Sequence, residues 1–177
     1  AGSQDNLVQG SRFMDISGNA IQVGDYIDYG GATSENYAGT TDARLILRNN
    51  DLYNNYIANI GVEYFSSSAI SATFPQDMNI THNEIANVPY SGIHIGWGWG
   101  VYPSGSTPSV IKNVYAERNY IHEVNVVLND GGGIYTNGKT GGNATLKAGY
   151  FNENYIANVY KSAGYAMYND EATNFDT

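Results

Sequence analysis

The sequence contains no cysteine. That excludes a disulfide framework, thiolate metal ligands and a cysteine nucleophile. It leaves the compartment open. Cations are scarce: 8 Lys and Arg stand against 17 Asp and Glu, for a net charge of −9 and a pI near 4.5. A chain this acidic has no basic footprint for a nucleic-acid backbone or an anionic membrane surface, so neither partner is expected. No apolar run reaches the ~18 residues of a transmembrane helix. Residues 1–10 show no secretory leader pattern, so a leader has already been removed or never preceded them. His82, His94 and His122 have no ligand spacing, and no acidic loop follows a calcium pattern. No metal and no cofactor are expected. A Ser-His-Asp triad lacks its nucleophile elbow. Charged residues are only 14% while aromatics reach 13%, the reverse of a disordered composition.

What is abundant is Asn, Gly and Tyr: 22, 21 and 16 of 177 residues. The length suits one domain over 1–177. The asparagines are not scattered. Asn55-Tyr-Ile57-Ala-Asn59 returns as Asn83-Glu-Ile85-Ala-Asn87, Asn119-Tyr-Ile121-His-Glu123 and Asn154-Tyr-Ile156-Ala-Asn158, with a degenerate copy at Ser11-Arg-Phe13-Met-Asp15. Most copies lead to a second short strand opened by a small residue: Ile21–Val23, Ile93–Ile95, Ile134–Thr136. Anchor spacings of 44, 28, 36 and 35 are too irregular for leucine-rich or ankyrin arrays. They suit a solenoid whose turns share a core and differ in their loops.

The strands alternate with period 2, Ile93 and Ile95 inward and His94 outward, and no stretch has a helical period. The predicted fold is all-β, a right-handed parallel β-helix of about five to seven turns. Equivalent residues stack on successive turns about 4.8 Å apart. A buried Asn at a bend can then bond the backbone and the Asn above and below it, forming a ladder. Asn and Gly also tolerate the left-handed conformation of a sharp corner. The competing fold is an antiparallel β-sandwich, but Asn137-Gly138 is its only hairpin-type turn signal. Both ends fall in mid-turn without a capping helix, so a segment of a longer coil is expected, its remainder a potential partner.

Three stretches can carry chemistry. In Asn129-Asp130-Gly131-Gly132-Gly133-Ile134-Tyr135-Thr136, glycines leave the backbone beside an acid open to a ligand, or else fill a tight corner. Asn169-Asp170-Glu171 is the second. If its Asp occupies the place of Asp130 on the next turn, two stacked carboxylates repel and one is pushed toward its protonated form, the condition for one acid and one base. The anchors argue for an offset of 35 there, not 40. The third is Tyr90 to Gly100, where Trp97 and Trp99 alternate with glycine. Indole faces stack on the C–H faces of sugars. His94, facing the same way as Tyr135 on the next turn, can bond a sugar hydroxyl. Glu63 is a weaker candidate for the same cleft. Asp25 and Asp28 read as solvated, and Asn79-Ile-Thr81 and Asn143-Ala-Thr145 as chance glycosylation matches.

The strings Val62-Glu63-Tyr64, Asn83 to Ile93, Gly96-Trp-Gly-Trp-Gly100, Leu128 to Thr136 and Tyr168-Asn-Asp-Glu171 resemble the right-handed parallel β-helix glycoside hydrolases, glycoside hydrolase family 141 above all, with its α-fucosidase and xylanase activities. The resemblance runs from about Asn6 to the end, and family members are much longer. It implies a catalytic aspartate pair at Asp130 and Asp170. Glu171 fits the family's Asp-Glu-Gly, but Ala172 replaces its Gly, and the segment from Thr136 to Tyr150 looks rebuilt.

The sequence therefore points to a secreted, cell-surface or periplasmic glycoside hydrolase acting on a polysaccharide or oligosaccharide. Asp130 is assigned as nucleophile or base and Asp170 as acid. Glu63, His94, Trp97, Trp99, Tyr135 and Glu171 are assigned to substrate binding. Alternatives are a non-catalytic carbohydrate-binding β-helix and, less favoured with so few cations, a polysaccharide lyase.

Overall fold

The computed structural model describes residues 2–25, 38–101, 106–141 and 149–174. Among the described residues, fifteen strands form three parallel sheets of five. The first sheet holds β1 (Gln4–Gln9), β4 (Leu47–Tyr53), β7 (Pro75–Thr81), β10 (Lys112–Glu117) and β13 (Gly149–Tyr150). The second holds β2 (Arg12–Ile16), β5 (Tyr56–Ile60), β8 (Glu84–Ala86), β11 (Tyr120–Val124) and β14 (Tyr155–Val159). The third holds β3 (Ile21–Val23), β6 (Ile70–Ala72), β9 (Ile93–Gly96), β12 (Gly131–Asn137) and β15 (Gly164–Asn169). The chain visits the sheets in rotation, so it is an all-β parallel coil of three strands per turn. Asn137-Gly138 makes no hairpin: it ends β12, which pairs in parallel with β9 and β15.

The winding follows from the repeat. Pairing in the second sheet runs Arg12–Tyr56–Glu84–Tyr120–Tyr155, which reproduces the anchor spacings. One strand per turn was not legible in the repeat. It is the one that precedes each anchor, as in Met78-Asn-Ile80 and Val114-Tyr-Ala116, whose alternation is only three residues long. One inward column stacks Ile21, Ile70, Ile93 and Ile134 and ends on Met167, which is exposed. A second stacks Phe13, Ile57, Ile85, Ile121 and Ile156. Ile57, Ile70, Ile85, Ile93 and Ile121 are fully buried, each contributing about 1.5–3 kcal/mol of apolar transfer.

The Asn ladder forms with every polar atom used. Nδ2 of Asn55, Asn83 and Asn119 donates to Oδ1 of the next Asn at 3.0, 3.0 and 2.9 Å. It also donates to the carbonyls of Val8, Leu52 and Ile80. Each Oδ1 further accepts the backbone N–H of the preceding ladder residue, beginning with Ser11. The left-handed corner falls one residue earlier than the ladder Asn, at Gly10, Asn54, His82, Arg118 and Glu153. The ladder Asn is thus selected for its amide, not its backbone tolerance.

Candidate active site

One outward column of the third sheet carries the site. It runs Gln22, Ser71, His94, Tyr135, Tyr168 through successive coils. Its upper half is a ring stack: His94 meets Tyr135 edge-on at 4.8 Å, and Tyr135 meets Tyr168 at 5.4 Å. The turn after β9 folds beside it. Gly96, Gly98, Trp99 and Gly100 all take left-handed φ, of 93, 95, 44 and 80°. Glycine supplies three of these four conformations without a Cβ clash. The turn sets Trp97 and Trp99 edge to face at 4.8 Å, and Trp97 lies 6.1 Å from His94. A cleft of about 490 Å³ opens here, lined by Asn19, Ser66, Ser67, Tyr90, His94, Trp97, Trp99 and Tyr135.

The two aspartates stand at the tyrosine side of this cleft. Tyr135 donates its hydroxyl proton to Asp170 Oδ2 at 2.6 Å. Tyr90 donates to the backbone carbonyl of Asp130 at 2.6 Å. Tyr168 Oη lies 3.0 Å from Asp130 Oδ1 and 3.5 Å from Asp170 Oδ1. Sharing one hydroxyl at those two distances, Oδ1 of Asp130 and Oδ1 of Asp170 are at most about 6.5 Å apart, the two legs laid end to end. The aspartates do not meet by occupying equivalent places on adjacent turns. Pairing between β12 and β15 is offset by 33 residues, as in Gly131 with Gly164 and Thr136 with Asn169. Asp130 accordingly bonds back to Ala163 and Asp170 to Thr136. Tyr168 spans the stagger.

Burial and the carboxylates set the protonation of the rings. Desolvation raises the Tyr135 and Tyr90 phenols, and for Tyr135 the hydrogen bond to Asp170 adds to it. Tyr168 is raised chiefly by its hydrogen bond to Asp130. All three remain O–H donors at neutral pH. His94 faces outward from its strand but is not a surface histidine. The aromatic rings around it leave it 5% exposed, and that burial lowers its pKa from 6.5 to about 4. It is neutral at pH 7, able to hydrogen-bond but not to act as a cationic acid.

Between about pH 6.5 and 4 the folded state therefore binds fewer protons at His94 than the unfolded chain does. Its contribution is complete above pH 6.5 and is lost as pH falls toward 4, on the order of 3 kcal/mol in all. The stability difference between wild type and His94→Gln, from urea melts, is expected to shrink by that order from pH 7 to pH 4. A pH-independent difference would contradict a neutral buried imidazole.

The remaining candidates lie outside the cleft lining. Glu63 is exposed on the turn after β5, with its backbone N–H on the Ser17 carbonyl. Glu171 is exposed beside Asp170, and its carbonyl accepts the Gly138 N–H. Asp25 is exposed. Asp28, Asn143-Ala-Thr145 and the middle of the rebuilt segment, 142–148, lie outside the described residues. The glycines after Asp130 are not an open approach. All of β12 is buried. A Cβ on Gly131 would meet Ser91 Oγ at 2.6 Å, and one on Gly133 would meet Ile156 Cγ2 at 2.6 Å. They are required by packing. Ala172, where the family pattern has Gly, keeps the glycine conformation with φ 62°. Ala172→Gly is expected to raise stability by about 0.5–1 kcal/mol, the left-handed penalty less the entropy of glycine. Thermal melting checks this, and a lower melting temperature would contradict it.

A solved structure described as a glycoside hydrolase superposes on the chain with a TM-score of 0.76 and 27% sequence identity. The superposition covers 96% of this chain and 31% of that one. The fold is glycoside hydrolase-like. No protein-family model matches the chain, and no curated protein does.

Within this glycoside hydrolase-like fold, several residues of the site were given no role in it from sequence: Tyr90, Tyr168, Asn137, and the cleft-lining Asn19, Ser66 and Ser67. Tyr168 carried a signal, since it stands two residues before Asp170 and strand alternation puts it on the same face. Asn137 carried one too, as a buried amide ending β12. Among 16 tyrosines and 22 asparagines neither signal stands out.

Proposed function

We propose that the chain provides the catalytic groove of a glycoside hydrolase. The observation that carries this reading is the Tyr168 hydroxyl lying within hydrogen-bonding reach of both Asp130 and Asp170, beside an aromatic cleft. Two carboxyl groups flanking one glycosidic bond suffice for hydrolysis. They act at about 5–5.5 Å apart with retention and about 6.5–9.5 Å apart with inversion. Asp170 gives its proton to the leaving oxygen as the C–O bond breaks. Asp130 attacks the anomeric carbon, or takes a proton from the water that adds there. Trp97 and Trp99 receive a sugar face, and neutral His94 and the cleft serines offer hydrogen bonds to its hydroxyls. The resemblance to family 141 favours α-fucosides and xylan as substrates, reached outside the cell or at its surface.

The test is release of nitrophenol from nitrophenyl α-fucoside and xyloside, and of reducing ends from xylan. No turnover of any of them by the folded protein would count against this reading. A second reading is a non-catalytic glycan-binding coil. It is favoured by a cleft whose lining holds Trp, Tyr, His, Ser and Asn but neither aspartate. Oligosaccharide binding without turnover, lost in Trp97→Ala and kept in Asp130→Asn, would select it.

A further inference from the structure

We propose that Asn137 is a positioning residue that decides which oxygen of Asp170 does the chemistry. The proposal rests on the hydrolase reading above. Asn137 closes β12 and has no exposed surface. Its Oδ1 accepts the backbone N–H of Trp99 at 2.9 Å. A backbone N–H can only donate, so this contact fixes the amide orientation. Nδ2 must then point the other way, where it donates to Tyr135 Oη at 3.0 Å.

A phenol has one proton. With its oxygen already accepting from Asn137, Tyr135 sends that proton to Asp170 Oδ2, at 2.6 Å. Every bond in the series from Trp99 to Asn137 to Tyr135 to Asp170 thus runs in one direction. Oδ2 of Asp170 is committed as an acceptor. Oδ1 is left, and its near neighbour is the Tyr168 hydroxyl at 3.5 Å, whose own proton is closer to Asp130 at 3.0 Å. The proton that Asp170 gives to a leaving oxygen therefore sits on Oδ1, the oxygen beside the Tyr168 hydroxyl. The same series ties the carboxylate to the Trp99 backbone, which is held at a left-handed φ of 44°. The turn that presents the aromatic platform and the acid are set by one amide.

Asn137→Asp is the informative variant. It keeps the size and the acceptor for Trp99 N–H but cannot donate to Tyr135, whose proton then goes to the new carboxylate instead of Asp170. Two readouts are needed. In steady-state kinetics on the substrates above, kcat is expected to fall at least about tenfold, with KM within about twofold, because acid–base positioning is lost and the sugar platform is kept. In proton NMR, the hydrogen-bonded hydroxyl of Tyr135, assigned by its absence in Tyr135→Phe, is expected to move in Asp170→Asn. In the Asn137→Asp background it is expected to stop responding to Asp170→Asn.

Wild-type kcat in Asn137→Asp, or a hydroxyl resonance that still responds to Asp170→Asn there, overturns the proposal. Should the buried carboxylate prevent folding, Tyr135→Phe cuts the same series on its other side and must lower kcat likewise; an unchanged kcat overturns it. If the wild type turns over none of the substrates, the hydrolase reading fails, and the resonance alone decides whether Asn137 directs the Tyr135 proton.

Discussion

Asp130→Asn and Asp170→Asn are each expected to lower kcat by about 10²–10⁴-fold while leaving the coil folded. The separation of the two effects is physical. An asparagine side chain has the shape of aspartate, and its amide oxygen still accepts from Tyr168 at position 130 or from Tyr135 at position 170. What it would lose, on the proposed mechanism, is the negative charge that attacks or takes a proton, or the transferable proton itself. Thermal unfolding should therefore stay within a few degrees of wild type. The double variant should be little worse than the weaker single one, because groups that act as a unit are not additive. Initial rates on the most active of the tested glycosides, with melting curves alongside, check this. Full activity in both single variants would remove the mechanism.

Asn83→Ala is expected to destabilise the fold by about 4 kcal/mol or more. Asn83 is 1% exposed and sits in the middle of the ladder. Its side chain donates to the Leu52 carbonyl and Asn119 Oδ1, and accepts both the backbone N–H and Nδ2 of Asn55. Truncation takes the Asn83 donor from the Leu52 carbonyl and leaves two donors of Asn55 without their acceptor inside the coil. Each orphan costs about 1–3 kcal/mol. Asn83→Asp is the sharper comparison: it keeps the acceptor and the volume but turns a donor toward Leu52 into a buried charge, so it should be at least as damaging. Urea unfolding of both variants against wild type measures the difference. A loss below about 1 kcal/mol in Asn83→Ala would mean that the ladder is incidental to stability.

The winding and the chemistry differ in how far the sequence carries them. A coil with parallel pairing is a local code. Four turns present an Asn at one bend and an Ile two residues later, so Asn55/Ile57, Asn83/Ile85, Asn119/Ile121 and Asn154/Ile156 specify the stacking whatever the loops do, with Ser11/Phe13 in the same places on the first turn. Sequence periodicity reads such a code directly, and the pairing register of the second sheet repeats it residue for residue. The strand before each Asn was harder to see because its inward positions vary among Leu52, Ile80 and Ala116. Trp97 and Trp99 stood out because glycine alternation is a rare local pattern.

The aspartate pair was legible only as two residues. Sequence spacing offered stacking on equivalent positions, and the offset of 33 between β12 and β15 rules that arrangement out. What brings Asp130 toward Asp170 is the length of the Tyr168 side chain and the left-handed turn at Asp130, with φ 62°. Likewise His94 was read correctly as outward-facing, yet its burial depends on rings contributed from the next coil and the following turn, Tyr135 and Trp97. The sequence alone determined the coil, its ladder and the residue types available to the groove, because those rest on backbone periodicity and on repeated hydrogen-bond needs. Only the tertiary structure decided which side chains meet across coils, because those contacts depend on loop lengths and side-chain reach that no repeat encodes.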